Sequence, residues 1–476
     1  MAAPDINRTP PAGPASQVEP ASQVEPASRV GPAPSIEPTE ATPPPETPAI
    51  LVRAREQSAQ RLLMTYATTG LFFMLLPGTF LGAWNLISIS GQHGPAVSSA
   101  WIQAHGHAQI FGWIGTFILG IGFYSIPKMI GGKLQSPVRG WTAWLLWSSG
   151  AILRWSAGVY EWHWRTLLPL SATLELVAFL LFLGSVRRHR PAGSGHARSR
   201  PPLWVLSVLV GTFGFGIGLL MNLAAAIFAG LRGQGPAFSN GYESRLLTVL
   251  LYAFIVPTIL GFSARWLPVF LGLRPVNERM LGWVLVLAAG GVVLTQEGFF
   301  RIAPWLPAIA AGLAIGALHL LERPVHAPKT IGIHHSFSVF VRIAYVWLMV
   351  ATTIGIGAAY FDRHNGWTGG SRHALTVGFI STMVFAIGQR VLPAFAGMRI
   401  LYSRNLMFAS LLLLNVGCSL RVSSEILAYE GYWPLAWSVL PWSAVLELAA
   451  VTLFAANLVF TFKRPPAHLM KPATAA

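Results

Sequence analysis

The sequence predicts an all-α integral membrane protein of about twelve transmembrane helices, built as three four-helix repeats in a pseudo-threefold arrangement. Composition is the first observation behind this reading. Of 476 residues, 53% are hydrophobic and only 11% charged, with 18 Trp, and the mean hydropathy is +0.54. So few polar side chains cannot cover a water-facing surface. Spacing is the second. Apolar runs of roughly 18–25 residues, the length that crosses a bilayer, recur near 62–88, 99–126, 141–160, 165–186, 203–230, 245–271, 279–296, 303–321, 337–360, 371–395, 404–427 and 436–461. The third is a phrase that closes three of these runs: Tyr124-Ser-Ile-Pro127-Lys-Met-Ile-Gly131-Gly-Lys133, Arg265-Trp-Leu-Pro268-Val-Phe-Leu-Gly272-Leu-Arg274 and Arg390-Val-Leu-Pro393-Ala-Phe-Ala-Gly397-Met-Arg399.

The similarity continues past each phrase. The next helix contains Gly150-Ala-Ile-Leu-Arg154, Gly291-Val-Val-Leu-Thr295 or Gly417-Cys-Ser-Leu-Arg421. The one after opens with Leu168-Pro169 and reaches Glu175, with Leu306-Pro307 and reaches Gly312, or with Leu440-Pro441 and reaches Glu447. The unit is therefore four helices, with repeats expected over about 60–190, 200–325 and 335–463. Repeats one and three keep His, Arg and Glu where repeat two has Thr248, Thr295 and Gly312 or a neighbour, so the polar machinery belongs to the first and third and the second serves as scaffold.

The membrane domain is expected over 56–465. Before it, residues 1–55 form a Pro/Ala-rich tail in which Ala15-Ser-Gln-Val-Glu-Pro20 repeats as Ala21-Ser-Gln-Val-Glu-Pro26. Such a composition buries too little to fold, and the tail has no apolar core of its own that would make it a cleaved signal peptide. Residues 466–476 are a second short tail. Basic residues fall on alternate sides of the apolar runs: Arg53, Arg55 and Arg61, then Lys128, Lys133 and Arg139, Arg187, Arg188, Arg190, Arg198 and Arg200, Arg274 and Arg279, Arg323 and Lys329, Arg399 and Arg404, and Lys463, Arg464 and Lys471. The positive-inside rule then puts both termini in the cytoplasm. The formal net charge of +16 serves topology and anionic lipid, which argues against nucleic acid as a partner. The single cysteine, Cys418, lies in an apolar run, so no disulfide framework and no thiolate metal site is expected.

Counting back 20 residues from each repeated proline lands on His107, Thr248 and His373. At 1.5 Å per residue this is about 30 Å, one hydrocarbon thickness from the prolines and near the outer leaflet. Imidazoles facing one another across a bundle form the axial pair of a six-coordinate haem and are also common copper ligands. His105 is the neighbour of this pair. It lies about 200° around the helix from His107, so one of the two faces a cofactor and the other a loop or a second metal.

Arg154 with Glu175 and Arg421 with Glu447 recur in repeats one and three. Either the arginines hold haem propionates while the glutamates order water or relay protons, or each Arg neutralises its Glu. Arg265 and Arg390 sit near the inner boundary and are expected to snorkel or cap carbonyls. His93, His163 and His364 lie in outer loops, and His334 and His335 on the inner side.

The segments His105-Gly-His107-Ala-Gln-Ile-Phe-Gly-Trp and His373-Ala-Leu-Thr-Val-Gly, the latter followed by Arg390, resemble the NnrS family over most of residues 60–465, and more distantly the catalytic subunit of haem-copper oxidases and nitric oxide reductases. The resemblance implies a haem- and copper-containing inner-membrane protein of bacteria, linked to denitrification and nitrosative stress. Its cofactors would be haem b, with copper as a second candidate, and its partners the bilayer, a small diatomic ligand such as nitric oxide and an electron donor. In the wider family helices two and ten hold a low-spin haem, and these are the helices of His105, His107 and His373. One departure stands out: 245–296, helices six and seven, carries no histidine, and helix ten has His373 alone. A single haem site is expected in place of a binuclear centre. A divergent respiratory oxidase or reductase subunit, and a transporter gated by the Arg and Glu residues, are the alternatives.

Overall fold

The structure, a computed structural model, describes residues 47–91, 97–129, 137–187 and 201–466. The tail up to residue 46, His93, Gly131 and Lys133 of the first phrase, Arg188, Arg190, Arg198, Arg200 and Lys471 lie outside the described residues. The chain divides into two compact units, Met1–Pro48 and Ala49–Ala476, and the second carries the helical domain.

Every described element is helical. Taking uninterrupted runs as single rods, α1 comprises Thr47–Phe73, Met74–Phe80 and Leu81–Gly91; α2 comprises Ser99–His107, Ala108–Gly115 and Thr116–Met129; α3 is Val138–Tyr160, α4 Trp164–Arg187 and α5 Leu203–Arg232. Then α6 comprises Asn240–Thr248, Val249–Ile255 and Val256–Leu271; α7 is Glu278–Gln296, α8 Trp305–Ala317 and α9 Phe337–Phe361. Finally α10 comprises Gly366–His373, Ala374–Ser381 and Thr382–Phe395, followed by α11, Arg404–Tyr429, and α12, Ala436–Lys463. Polar caps start several rods where the sequence supplies them: Ser98, Asn277 and Ser403 accept the backbone N–H of Trp101, Met280 and Leu406.

Among the described residues, ten rods are long and apolar enough to cross a membrane, and two of the twelve expected spans are not. The run near 303–321 folds as a helix only over Trp305–Ala317, 13 residues, which at 1.5 Å each reach about 20 Å. Its last apolar residues leave the helix, and His319 turns at φ +53°. The run near 141–160 is a 23-residue helix, but Arg139, Arg154 and its serines keep it too polar to qualify.

Neighbouring rods pack in series beside three central ones. α3 pairs with α4, α7 with α8 and α11 with α12; α4 in turn meets α5, α8 meets α9 and α12 meets α1. The rods α2, α6 and α10 have 78%, 67% and 72% of their most apolar stretch buried, against 33–50% for the other spans. They form the centre, and the lipid-facing side chains lie on the rest.

All three central rods widen into a π-helical stretch, and in each the stretch begins at the residue after His107, Thr248 or His373. A π turn loosens the regular carbonyl pairing, and inside a bilayer the loosened carbonyls need other donors. Hydroxyls supply them: Thr116 donates to Gly112 O at 2.6 Å, Thr258 to Phe254 O at 2.7 Å and Ser381 to Thr376 O at 2.7 Å. Trp147, fully buried, donates its indole N–H to Phe111 O at 3.1 Å. In α1 the widened stretch Met74–Phe80 contains Pro77, which has no N–H to give. At the other end of the rods, the glycine of the repeated phrase ends the helix. Gly272 and Gly397 adopt φ +67° and +94°, a left-handed turn that suits glycine.

Candidate functional site

Between the central rods and their neighbours lies a cavity of about 640 Å³. His105, His107, His373, Arg154, Arg421 and Glu447 all line it. The sequence-predicted residues therefore converge, with Glu175 directly behind His107.

His105 points from α2 toward α1. Its Nδ1 lies 2.9 Å from the carbonyl of Gly78, within the widened stretch, and its Nε2 makes no hydrogen bond among the described residues. Gly82 gives the ring its room, since a Cβ there would lie 2.5 Å from His105 Cε1. His373, on α10, has its Nδ1 2.9 Å from both Gly369 O and Glu425 Oε2. Its Nε2 approaches only Arg421 Nη2, at 3.5 Å. Both rings are thus oriented through Nδ1, and both line the same cavity.

His107 faces the opposite way. Its Nε2 sits 3.2 and 3.3 Å from the two oxygens of Glu175, whose Oε2 also accepts from Asn222 at 3.3 Å. The imidazole stacks on Phe111 at 4.3 Å between centroids. The 200° between His105 and His107 is realised as contacts with different neighbouring rods, Gly78 on α1 and Glu175 on α4.

The Arg and Glu pairing differs from expectation. Among the described residues neither Arg154 and Glu175 nor Arg421 and Glu447 form an ion pair. Arg154 lies over the Phe238 ring at 4.7 Å and reaches Pro236 O at 3.5 Å. Arg421 pairs with Glu425, one turn along α11, at 3.3 Å. Each Glu packs by its side-chain methylene where its partner helix has a glycine, Gly150 or Gly417, so the glycine of the repeated motif serves the contact and the arginine four residues on turns elsewhere. Arg154 Nε, Arg421 Nε and Nη1 and Glu447 Oε1 are buried without a hydrogen-bond partner.

Four lining residues were not anticipated: Glu425, Arg372, Glu243 and Gln103. Gln103 exchanges two hydrogen bonds of 2.8 Å with the backbone of Phe238 and so ties down the loop before α6. A charge at membrane depth is itself a signal, and Glu425 stands four residues after Arg421 in an apolar run, the spacing of a helical ion pair. Gly78, by contrast, has no side chain to announce it.

Outside the cavity, Arg265 lies over Trp204 at 5.7 Å and Arg390 over Phe270 at 4.1 Å, so both are engaged by aromatic faces. His334 and His335 stack on each other at 4.0 Å on the other side of the molecule. His163 is an exposed loop residue. His364 is also exposed, and its backbone N–H, with those of Arg363 and Gly366, binds the Glu430 carboxylate at 3.0–3.2 Å. Burial alone would raise that carboxyl, but these three donors hold it below its ordinary value. Among the described residues no group of three or more His, Cys, Asp or Glu is placed to hold a metal ion. The donor set fits a flat ligand held between two imidazoles and bearing carboxylates that need guanidinium partners.

A family model described as NnrS protein matches residues 64–465. No curated protein sequence matches the chain. Among solved structures, the chain is similar to a cryo-EM structure of a haem-copper terminal oxidase dimer. The identity is 12% and the TM-score 0.54, over 86% of this chain and 84% of that one, and the two share a fold.

Proposed function

This chain belongs to the NnrS family, and from that premise we propose that it is a haem b protein of the bacterial inner membrane, acting in the nitric oxide response or in denitrification. The observation that carries the proposal is the pair His105 and His373, each fixed through Nδ1, with the His105 Nε2 unpartnered among the described residues and the His373 Nε2 meeting the Arg421 guanidinium at 3.5 Å, a long contact that a ligand would displace. Arg154 and Arg421, with unpartnered guanidinium N–H groups beside the same cavity, are the residues that would receive propionates. When bound, the haem would supply one-electron chemistry and a site for a diatomic ligand. The protein's part is to orient the imidazoles, neutralise the carboxylates and exclude water.

The pseudo-threefold arrangement of three four-helix repeats belongs to the same proposal. It is supported by the serial contacts between neighbouring rods and by the three π-helical stretches at one offset from the repeated prolines. So does the topology, with both termini cytoplasmic and the haem near the outer face. Copper has a smaller donor set available, His107 with Glu175. A respiratory oxidase or reductase role draws support from the shared fold, but α6 and α7 offer no histidine for a second metal centre.

The test is the reduced-minus-oxidised optical spectrum and metal content of detergent-purified protein from haem-replete cells. Low-spin b-type bands at one haem per chain are expected. A colourless protein would overturn the proposal and favour a transporter.

A further inference from the structure

We propose that Glu425 is a positioning residue that makes the two imidazoles that would hold the haem, His105 and His373, unequal, with His373 the stronger donor. The inference rests on the haem reading above.

The two histidines have different partners at Nδ1. His105 meets a neutral carbonyl, Gly78 O, at 2.9 Å. His373 meets Gly369 O and, at the same distance, the carboxylate of Glu425. The hydrogen bond of the His373 Nδ1 is to the Gly369 carbonyl, and the Glu425 carboxylate sits against the same nitrogen as an ion-pair contact; a negative charge there strengthens the imidazole as a donor at Nε2, an effect a neutral carbonyl alone produces only weakly. Glu425 is built into this place. It is 5% exposed, its other oxygen accepts from Arg421 at 3.3 Å, and a Cβ on Gly369 would overlap its carboxylate. Arg421 thus holds Glu425 from one side at 3.3 Å while His373 meets it from the other at 2.9 Å. Among the described residues no carboxylate contacts His105, whose Nδ1 partner is the α1 backbone. The site is therefore asymmetric: one ligand is held by a charged pair on α11, the other by a single carbonyl of a widened helix.

A stronger donor stabilises the oxidised iron, so removing the carboxylate destabilises it. The experiment is optical redox titration of the purified full-length protein at fixed pH, wild type beside Glu425→Gln and Glu425→Asp, with low-temperature EPR of the oxidised forms. Glu425→Gln should move the midpoint potential to more positive values and change the low-spin EPR signal, while Glu425→Asp, which keeps a carboxylate, should lie between it and wild type. An unchanged potential and EPR signal in Glu425→Gln would overturn the inference and leave the haem reading standing. If Glu425→Gln loses haem, Glu425→Asp decides: recovery of haem supports the carboxylate's role, and equal loss in both reduces Glu425 to packing and overturns it. Absence of haem from wild type would overturn the function proposed above, and this inference with it.

Discussion

Three imidazoles, His105 and His107 on α2 and His373 at the repeat position of His107 on α10, have different roles because of what lies opposite each Nδ1 and Nε2. His107 uses its Nε2 on Glu175, while His105 and His373 are fixed through Nδ1, the Nε2 of His373 meeting only the Arg421 guanidinium at 3.5 Å among the described residues. Sequence alone could place all three at one depth, since periodicity and the repeated phrase set depth along a helix. It could not say which ring faced the cofactor, because that depends on Gly78 O and Glu425, on other rods. The space around His105 gives a test at this scale. Gly82→Val puts branched carbon where even a Cβ would lie 2.5 Å from the ring. Most of the bound haem should be lost, measured by pyridine haemochrome, while helix content by circular dichroism stays at the wild-type level.

Helix ends and helix irregularities set the site at the element scale. α10 begins only eight residues before its π-helical stretch, and its entry is held by two carboxylates: Asp362 accepts the Thr368 N–H, and Glu430 from the end of α11 accepts the N–H of Gly366 and those of Arg363 and His364 just before it. This clamp joins two rods that both carry site residues, His373 on one and Arg421 and Glu425 on the other. Because the folded-state pKa of Glu430 is depressed, its contribution is present above the ordinary carboxylate pKa and is lost as pH falls through the depressed folded value. Glu430→Gln should therefore lower stability by about 1–3 kcal/mol at neutral pH. The difference from wild type should shrink as the pH drops below about 4, read as detergent-phase thermal unfolding at several pH values. The clamp was hidden in the sequence, since a single Glu after an apolar run looks like a solvated loop residue. The helices themselves were legible: ten of the expected runs are spans, and the two exceptions fail for stated reasons, one by length and one by polarity.

For the whole molecule, the legible part was what the repeated phrase encodes, namely three central rods, their prolines at one end and the polar residues 20 positions away. The ion pairs across rods were not legible, because the sequence repeat suggests Arg with Glu on neighbouring helices while the fold gives Arg421 a nearer carboxylate on its own helix. The proposed orientation is testable because Cys418 is buried and leaves little background for thiol labelling. His163→Cys should react with a membrane-impermeant maleimide on intact spheroplasts, and Arg404→Cys only after permeabilisation; the reverse pattern would invert the topology. The central claim is that His105 and His373, not His107, hold the haem. The most direct measurement is the reduced-minus-oxidised spectrum of His105→Ala, His107→Ala and His373→Ala beside wild type. Loss of the low-spin haem bands is expected in the first and third, and their retention in His107→Ala. Loss in His107→Ala with retention in His105→Ala would contradict the claim.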